Sequence, residues 1–314
     1  MTTIRLALRD WDWLTPLMLG EVMTEELGDR NLEFQIDRVP ALLDDWQKRG
    51  YDAAEVSLSK TSRAFDRGRS GFVAVPLLMM QGFRQRCIIV RKDSGYHNAG
   101  DLVGKNIGLT GWADSGNTWT RAALQDDGLS VDDAYWFVGR LTDQHPEADR
   151  LDGFGIEGKI VAICGKPMVD RLFDGELDAV LTPFMPPGFY ARESSFRHLY
   201  TDVRQTELEW SHQHGYVPGH HVLGFDSEVP EDLREVVVRA LNTSQSVWRS
   251  KREKYAETSA WLAVDLANES SLPNGWDAPY SPSQTKMFKE FFAQMQRQHL
   301  TQSEIAYSSI FKTV

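Results

Sequence analysis

The chain has 314 residues, a formal net charge of −11, 41% apolar and 25% charged side chains, and no low-complexity tract. This is a globular composition with room for two domains of ordinary size, which excludes a disordered chain. The acidic balance argues against nucleic acid or an anionic membrane as the main partner, so any anion this chain binds needs a local positive pocket.

In chain order, "IRLALRD" alternates as a strand and stops at Asp10, Trp11 and Asp12, and "TPLMLGEVMTEEL" has helix character. "LEFQIDRVP" is the next strand. "ALLDDWQKRG" reads as a short helix capped by Gly50. "YDAAEVSLS", "FVAVPLLM" and "QRCIIVRKD" are apolar, β-branched strands. From Ser94 the texture changes. A short helix "AGDLVG", a strand "NIGLT" and a Gly-rich turn lead into the helix "SGNTWTRAALQ". The strand "YWFVG", a polar loop, the strand "GKIVAIC", the helix "KPMVDRLFDGELD" and the strand "AVLTPFMPP" follow. A strand-like "HHVLGF" and three long helical patterns close the chain. Strands alternating with helices predict an α/β fold with mostly parallel sheets. The texture divides it into one discontinuous lobe, residues 1–92 and 213–314, and a second lobe, residues 93–212. Two chain crossings would link these Rossmann-like lobes, with a central cleft between them.

Cys87 and Cys164 sit in no C-x-x-C or Cys/His ligand spacing, so they read as buried thiols and not as metal ligands. The N-terminus lacks the pattern of an export signal. No window approaches the roughly 18 to 20 apolar residues of a membrane span. The expectation is a cytoplasmic protein without a membrane partner.

Several residues stand where ligands bind in α/β proteins, at the carboxyl ends of strands. Asp10 and Trp11 end the first strand; they either line a ligand or form an exposed turn. Glu55, Ser57 and Ser59 share one face of a strand until it ends. Hydroxyls beside a helix start suit a carboxylate, but Ser59 capping the next helix accounts for the same pattern. Arg84 can hold a carboxylate by a two-pronged hydrogen bond, and Arg86 reads as the structural arginine of the pair. Ser115, Asn117 and Thr118 occupy a helix's first turn, where unpaired N–H groups attract anions; capping by Asp114 or Ser115 is the plain alternative. Trp112 can form an aromatic wall, while Trp119 reads as core. Half of the eight histidines, His212, His214, His220 and His221, fall in "SHQHGYVPGHH". Without a fixed third ligand this spacing is poor evidence for metal. A histidine near neutral pKa holds or delivers a proton. No nucleophile elbow, Walker A loop or dinucleotide fingerprint is present, so no cofactor is expected.

The pieces "DWDWLTPL", "YDAAEVSLS", "FVAVPLLMMQGFRQRCIIVRKDSG", "DLVGKNIGLTGWADSGNTWTRAALQDDGL", "GELDAVLTP" and "GYVPGHHVL" resemble, in order and spacing, the 4,5-dihydroxyphthalate decarboxylase family. So do the late "WDAPY" and "SSIFK", and the resemblance covers nearly the whole chain. It implies a type II periplasmic-binding-protein-like fold. It also implies a cofactor-independent decarboxylase of a hydroxylated aromatic carboxylate, with no metal. Glu55, Ser57 and Ser59 match that family's E-x-S-x-S, Arg84 its F-R, and His221 its P-x-x-H. Trp13, Gln85, Gly219 and His220 depart from its pattern. The expected catalytic acid is His221 in the first place and Glu55 in the second. Arg84, Ser57, Ser59, Asp10, Trp11, Trp112, Ser115, Asn117 and Thr118 are the expected substrate-binding residues. The expected partner is a small aromatic carboxylate, and self-association stays open. Two other readings share the scaffold: a binding protein for a small organic anion, and a lyase like those of the futalosine pathway.

Overall fold

The computed structural model describes residues 2–22, 32–68 and 71–311. Two compact units emerge. One comprises Met1–Gln81, Gly219–Lys286 and Ile305–Val314; the other comprises Gly82–Pro218 and Met287–Glu304.

The first unit holds a five-stranded sheet. Its strands are β1 (Thr2–Arg9), β2 (Leu32–Val39), β3 (Ala53–Ser57), β4 (Phe72–Gln81) and β11 (Gly219–Asp226), in the order β2-β1-β3-β11-β4. β1 runs parallel to β2 and β3, whereas β11 is antiparallel to both β3 and β4. The expected mostly parallel pattern therefore breaks at β11. The chain reaches this strand through the second unit and not through a crossover helix of the same sheet, so nothing forces it parallel. Every residue of β3 is buried, as a strand covered on both faces requires. Leu6, Leu8, Val75, Leu77, Leu223 and Phe225 build the core with Val237 and Leu241 of the long helix α6 (Glu231–Tyr255). A short helix α1 (Thr15–Met18) and helix α2 (Leu58–Asp66) follow β1 and β3. The helix pattern expected beyond Met18 runs into residues 23–31, outside the described residues.

Residues 44–50 form turns, not the expected helix. Only a few bonds close there, among them Tyr51 N–H to the Trp46 carbonyl at 3.3 Å. So short a segment gains too few hydrogen bonds to offset nucleation. Gly50 takes the left-handed conformation that the capping argument demanded, with φ +74°.

The second unit holds a six-stranded sheet of order β10-β5-β9-β6-β7-β8. Its strands are β5 (Ile88–Arg91), β6 (Asn106–Leu109), β7 (Tyr135–Val138), β8 (Ile160–Ala162), β9 (Ala179–Leu181) and β10 (Phe196–His198). β6 to β9 are parallel neighbours, and β5 and β10 add antiparallel pairs. Helices α3 (Ser115–Asp126), α4 (Met168–Phe173) and α5 (Val203–His214) complete its main elements. β10 and α5 had no counterpart in the sequence reading. A three-residue strand is too short to show a period, and α5 mixes apolar and charged residues with little polarity between its faces. At the C-terminal end, α7 (Leu262–Glu269) spans only eight residues, α8 (Pro282–Arg297) is long, and α9 (Tyr307–Ile310) is a single turn. The three long helices expected there are thus two. Trp119 is fully buried, as a core residue should be. Cys87 is buried but Cys164 is exposed, which corrects the reading of two buried thiols. No described helix is long and apolar enough to cross a membrane.

Gly108 of β6 lets α4 pack against the sheet. An ideal Cβ there would lie 2.8 Å from Leu177 Cδ1 and 2.9 Å from Met168 Sδ. Gly108→Ala should therefore destabilise the protein by about 1 to 3 kcal/mol through overpacking. Urea denaturation checks it, and an unchanged midpoint would contradict the packing account.

Candidate active site

The first unit buries a carboxylate. Glu55 lies in β3 with 1% of its surface exposed. Pairing between β1 and β3 is recorded at Leu6/Ala53 and Ala7/Ala54; beyond it, the Arg9 N–H donates to Glu55 Oε2 at 3.0 Å. Trp11 Nε1–H donates to the same oxygen at 2.8 Å. The other oxygen, Oε1, lies 2.5 Å from His221 Nδ1. The sheet register explains this contact. His221 of β11 sits opposite Ser57, so Glu55 is its diagonal neighbour on the same face, within reach of long side chains. The β11–β4 register shifts on either side of His221, an irregularity of the kind that re-aims side chains near functional sites.

This arrangement assigns the hydrogens. Backbone and indole N–H groups only donate, so Oε2 accepts twice. With the carboxylate ionised, Oε1 also accepts, and His221 Nδ1 must carry the hydrogen. Nε2 is then the nitrogen left for other chemistry, and it has no hydrogen-bond partner among the described residues. The side chain of His221 is 14% exposed and that of Glu55 is 0% exposed, so the pair is a fixed buried base with a reachable outer nitrogen.

Trp11 also lines a cavity of about 260 Å³ in the same unit, together with the indoles of Trp13, Trp248 and Trp276. The arginines on its wall are already matched: Arg249 pairs with Asp277 at 3.0 Å, and Arg252 pairs with Glu269. The cavity is therefore an aromatic one whose cations are neutralised. Asp10 lies away from this cluster in an exposed ion pair with Arg38 at 2.8 Å. Ser57 caps α2, its hydroxyl accepting from Lys60 N–H at 3.3 Å. Ser59 lies inside that helix and is fully buried. The face shared by Glu55 and Ser57 therefore ends one residue pair early, and the cap is Ser57 instead of Ser59.

The second unit contains the other expected residues. Arg84 is 5% exposed. Its guanidinium crosses the first turn of α3, where a Cβ on Gly116 would fall 2.4 Å from Nη2. Arg84 Nη1 reaches Cys87 Sγ at 3.3 Å, and Nε has no hydrogen-bond partner among the described residues. Arg86 behaves as a structural residue. Its Nε and Nη2 grip the buried Glu207 at 2.9 and 2.5 Å, and this hydrogen bond raises its pKa against the cost of burial. Ser115, Asn117 and Thr118 are all buried at the start of α3. Asn117 Nδ2 holds the Gly111 carbonyl at 2.7 Å, and Thr118 Oγ1 donates to the Asp114 carbonyl at 3.0 Å, so both shape the turn. Asp114 makes no side-chain cap; Arg150 Nη2 contacts both its oxygens instead.

Trp112 stands edge-on to Trp136 and under the guanidinium of Arg121, whose Cζ is 4.1 Å from the ring centroid. The sequence reading missed Arg121. A signal was available: it is the one cation in α3, and the helix is buried on every side along that stretch. Of the remaining histidines, His214 stacks on Trp210 at 4.2 Å and approaches Asp126 at 3.2 Å. No group of three or more His, Cys, Asp or Glu suited to a metal ion occurs among the described residues.

The fold is a type II periplasmic-binding-protein-like α/β fold. The periplasmic aliphatic sulphonate binding protein SsuA of Escherichia coli superposes with a TM-score of 0.57 at 14% identity, over 99% of this chain and 97% of that one. Two curated proteins are similar in sequence, and both are named 4,5-dihydroxyphthalate decarboxylase. The Comamonas testosteroni protein is 27% identical over 253 residues, 78% of this chain and 75% of its own. The Pseudomonas putida protein is 29% identical over 213 residues, 66% of this chain and 80% of its own. No family model matches the chain.

Glu55→Gln should reverse the histidine tautomer. The amide oxygen keeps the Arg9 and Trp11 bonds, so the amide nitrogen faces His221 Nδ1, which must then accept. Nitrogen-15 NMR of the imidazole should show hydrogen on Nδ1 in the wild type and on Nε2 in the variant. The same tautomer in both proteins would refute the assignment.

Proposed function

We propose that the protein is a cofactor-independent decarboxylase of a hydroxylated aromatic carboxylate such as 4,5-dihydroxyphthalate, with His221 delivering the proton. The observation that carries this reading is the hydrogen bond between the buried Glu55 and the half-buried His221, which leaves Nε2 as the working nitrogen. The sequence similarity to two proteins named for that decarboxylation supports it.

The chemistry needs little else. Losing CO₂ from an aromatic ring leaves an electron pair without a place to go. A ring hydroxyl para to the departing carboxylate pushes density onto the carboxyl-bearing carbon. In the proposed step, protonated His221 donates from Nε2 to that carbon. The C–CO₂ bond then breaks, its electrons restore the aromatic ring, and neutral CO₂ departs. Solvent returns a proton to the imidazole, so the net change is loss of CO₂ and uptake of one proton. Glu55 holds the ring through the Nδ1 hydrogen bond, and its bonds from Arg9 and Trp11 keep it oriented. An apolar setting favours neutral CO₂ over the carboxylate, and the Trp11 indole beside Glu55 offers an aromatic surface of that kind. Arg84, buried without a carboxylate partner among the described residues, is assigned the retained carboxylate.

CO₂ release from 4,5-dihydroxyphthalate tests the reading. General acid help is worth about 10²- to 10⁴-fold, so His221→Ala should lower kcat by that factor with binding largely kept. Arg84→Ala should instead weaken substrate binding by about 2 to 5 kcal/mol. Activity should survive a chelator. No turnover of any hydroxyaromatic acid, together with tight binding of a small organic anion, would establish the binding-protein alternative.

A further inference from the structure

Arg121 forms no ion pair with any described carboxylate. It sits in α3 with 2% of its surface exposed. Its Nε donates to Gln298 Oε1 at 2.8 Å, and Gln298 in turn donates to the Thr118 carbonyl at 3.0 Å. Both terminal nitrogens, Nη1 and Nη2, are buried without a hydrogen-bond partner among the described residues. No described carboxylate pairs with it: Asp114, whose charge it feels, is held by Arg150. Burial pushes the guanidinium pKa down to about 9, so the cation stands in a setting that disfavours it. Burying a charge without a partner costs several kcal/mol, and folded proteins rarely leave such a group unmatched.

Packing alone does not explain the choice. The guanidinium lies over Trp112, a contact that an apolar side chain would make without the desolvation cost. The second unit contains another such group. Arg84 is also buried, also lacks a carboxylate among the described residues, and lies against Gly116 in the first turn of the same helix. Arg121 extends toward that end too, since Trp112 precedes the helix by three residues. The start of α3 adds its own positive partial charge. Elsewhere in this unit, a buried charge is matched in the ordinary way: the carboxylate of Glu207 is held by the half-exposed Arg86.

We propose that Arg121 is a second carboxylate-binding residue, so that the second unit, with Arg84 and the start of α3, recognises a ligand carrying two carboxylates. This deepens the decarboxylase reading and rests on it for the ligand class: an aromatic acid with two carboxylates, one retained and one released. The ligand supplies the missing negative charge, and the ligand-free protein tolerates the cation at a cost in stability.

Phthalate and benzoate are suitable probes, because neither carries the ring hydroxyl that decarboxylation requires. Calorimetry on the full chain should show phthalate binding more tightly than benzoate. In Arg121→Met, which keeps an unbranched side chain there, that preference should fall roughly 30-fold or more. The ligand-free Tm of the variant should equal or exceed that of the wild type, because an unmatched buried charge has been removed. Should Arg121→Met fail to fold, Arg121→Lys keeps the charge but loses the fork, and its preference should fall as well. An unchanged preference in the folded variant, or wild-type binding of neither probe, would overturn the proposal. Phthalate binding without CO₂ release from 4,5-dihydroxyphthalate would instead sink the decarboxylase reading and leave this site standing.

Discussion

A carboxylate inside the first unit's sheet organises the local structure around it. Removing the Glu55 charge from water costs several kcal/mol unless donors replace the lost hydration. Those three donors come from two distant parts of the chain: the Arg9 amide and the Trp11 indole from one, the imidazole of His221 from the other. The first two lie at the end of β1 and just beyond it, and the third arrives on β11, 166 residues from Glu55. The return of the chain at Gly219 is therefore a requirement of charge burial as well as of sheet pairing. A β11 slipped by one residue would turn His221 to the other face and leave the carboxylate short of a partner.

The two units treat charge differently. In the first, a buried anion is fully satisfied by donors, and the arginines near its indole cavity are matched by Asp277 and Glu269. In the second, Glu207 has Arg86, while Arg84 and Arg121 are buried cations with no described carboxylate. For a chain with eleven more acidic than basic side chains, unmatched buried cations are costly to keep by accident. Local positive potential of this sort is what an acidic protein must build to bind an anion.

The fold carries no argument about chemistry by itself. A scaffold shared at 14% identity with a sulphonate binding protein hosts binding and catalysis alike. Function here rests on side chains: a histidine oriented by a buried carboxylate suits proton transfer, which anion binding alone does not require.

Much of the architecture was legible in the residues. Alternating apolar strands such as "IRLALRD" and "YDAAEVSLS" and the turn glycine Gly50 appear where local periodicity and backbone freedom put them, because these properties act over a few residues. The resemblance motifs likewise pointed to Glu55, Arg84 and His221, whose residue types carry chemistry wherever they fold. Local pattern could not reveal pairing across the chain. That His221 meets Glu55 follows from the β3–β11 register, and that Ser57 caps α2 follows from where β3 ends. Asp10 and Ser59, equal candidates on paper, differ because one is exposed in an ion pair and the other is sealed inside a helix. Arg121 looked like any helical arginine. Only the tertiary structure buries it over Trp112 with no described carboxylate paired to it, because burial is a property of everything that packs around a residue and not of its neighbours in sequence.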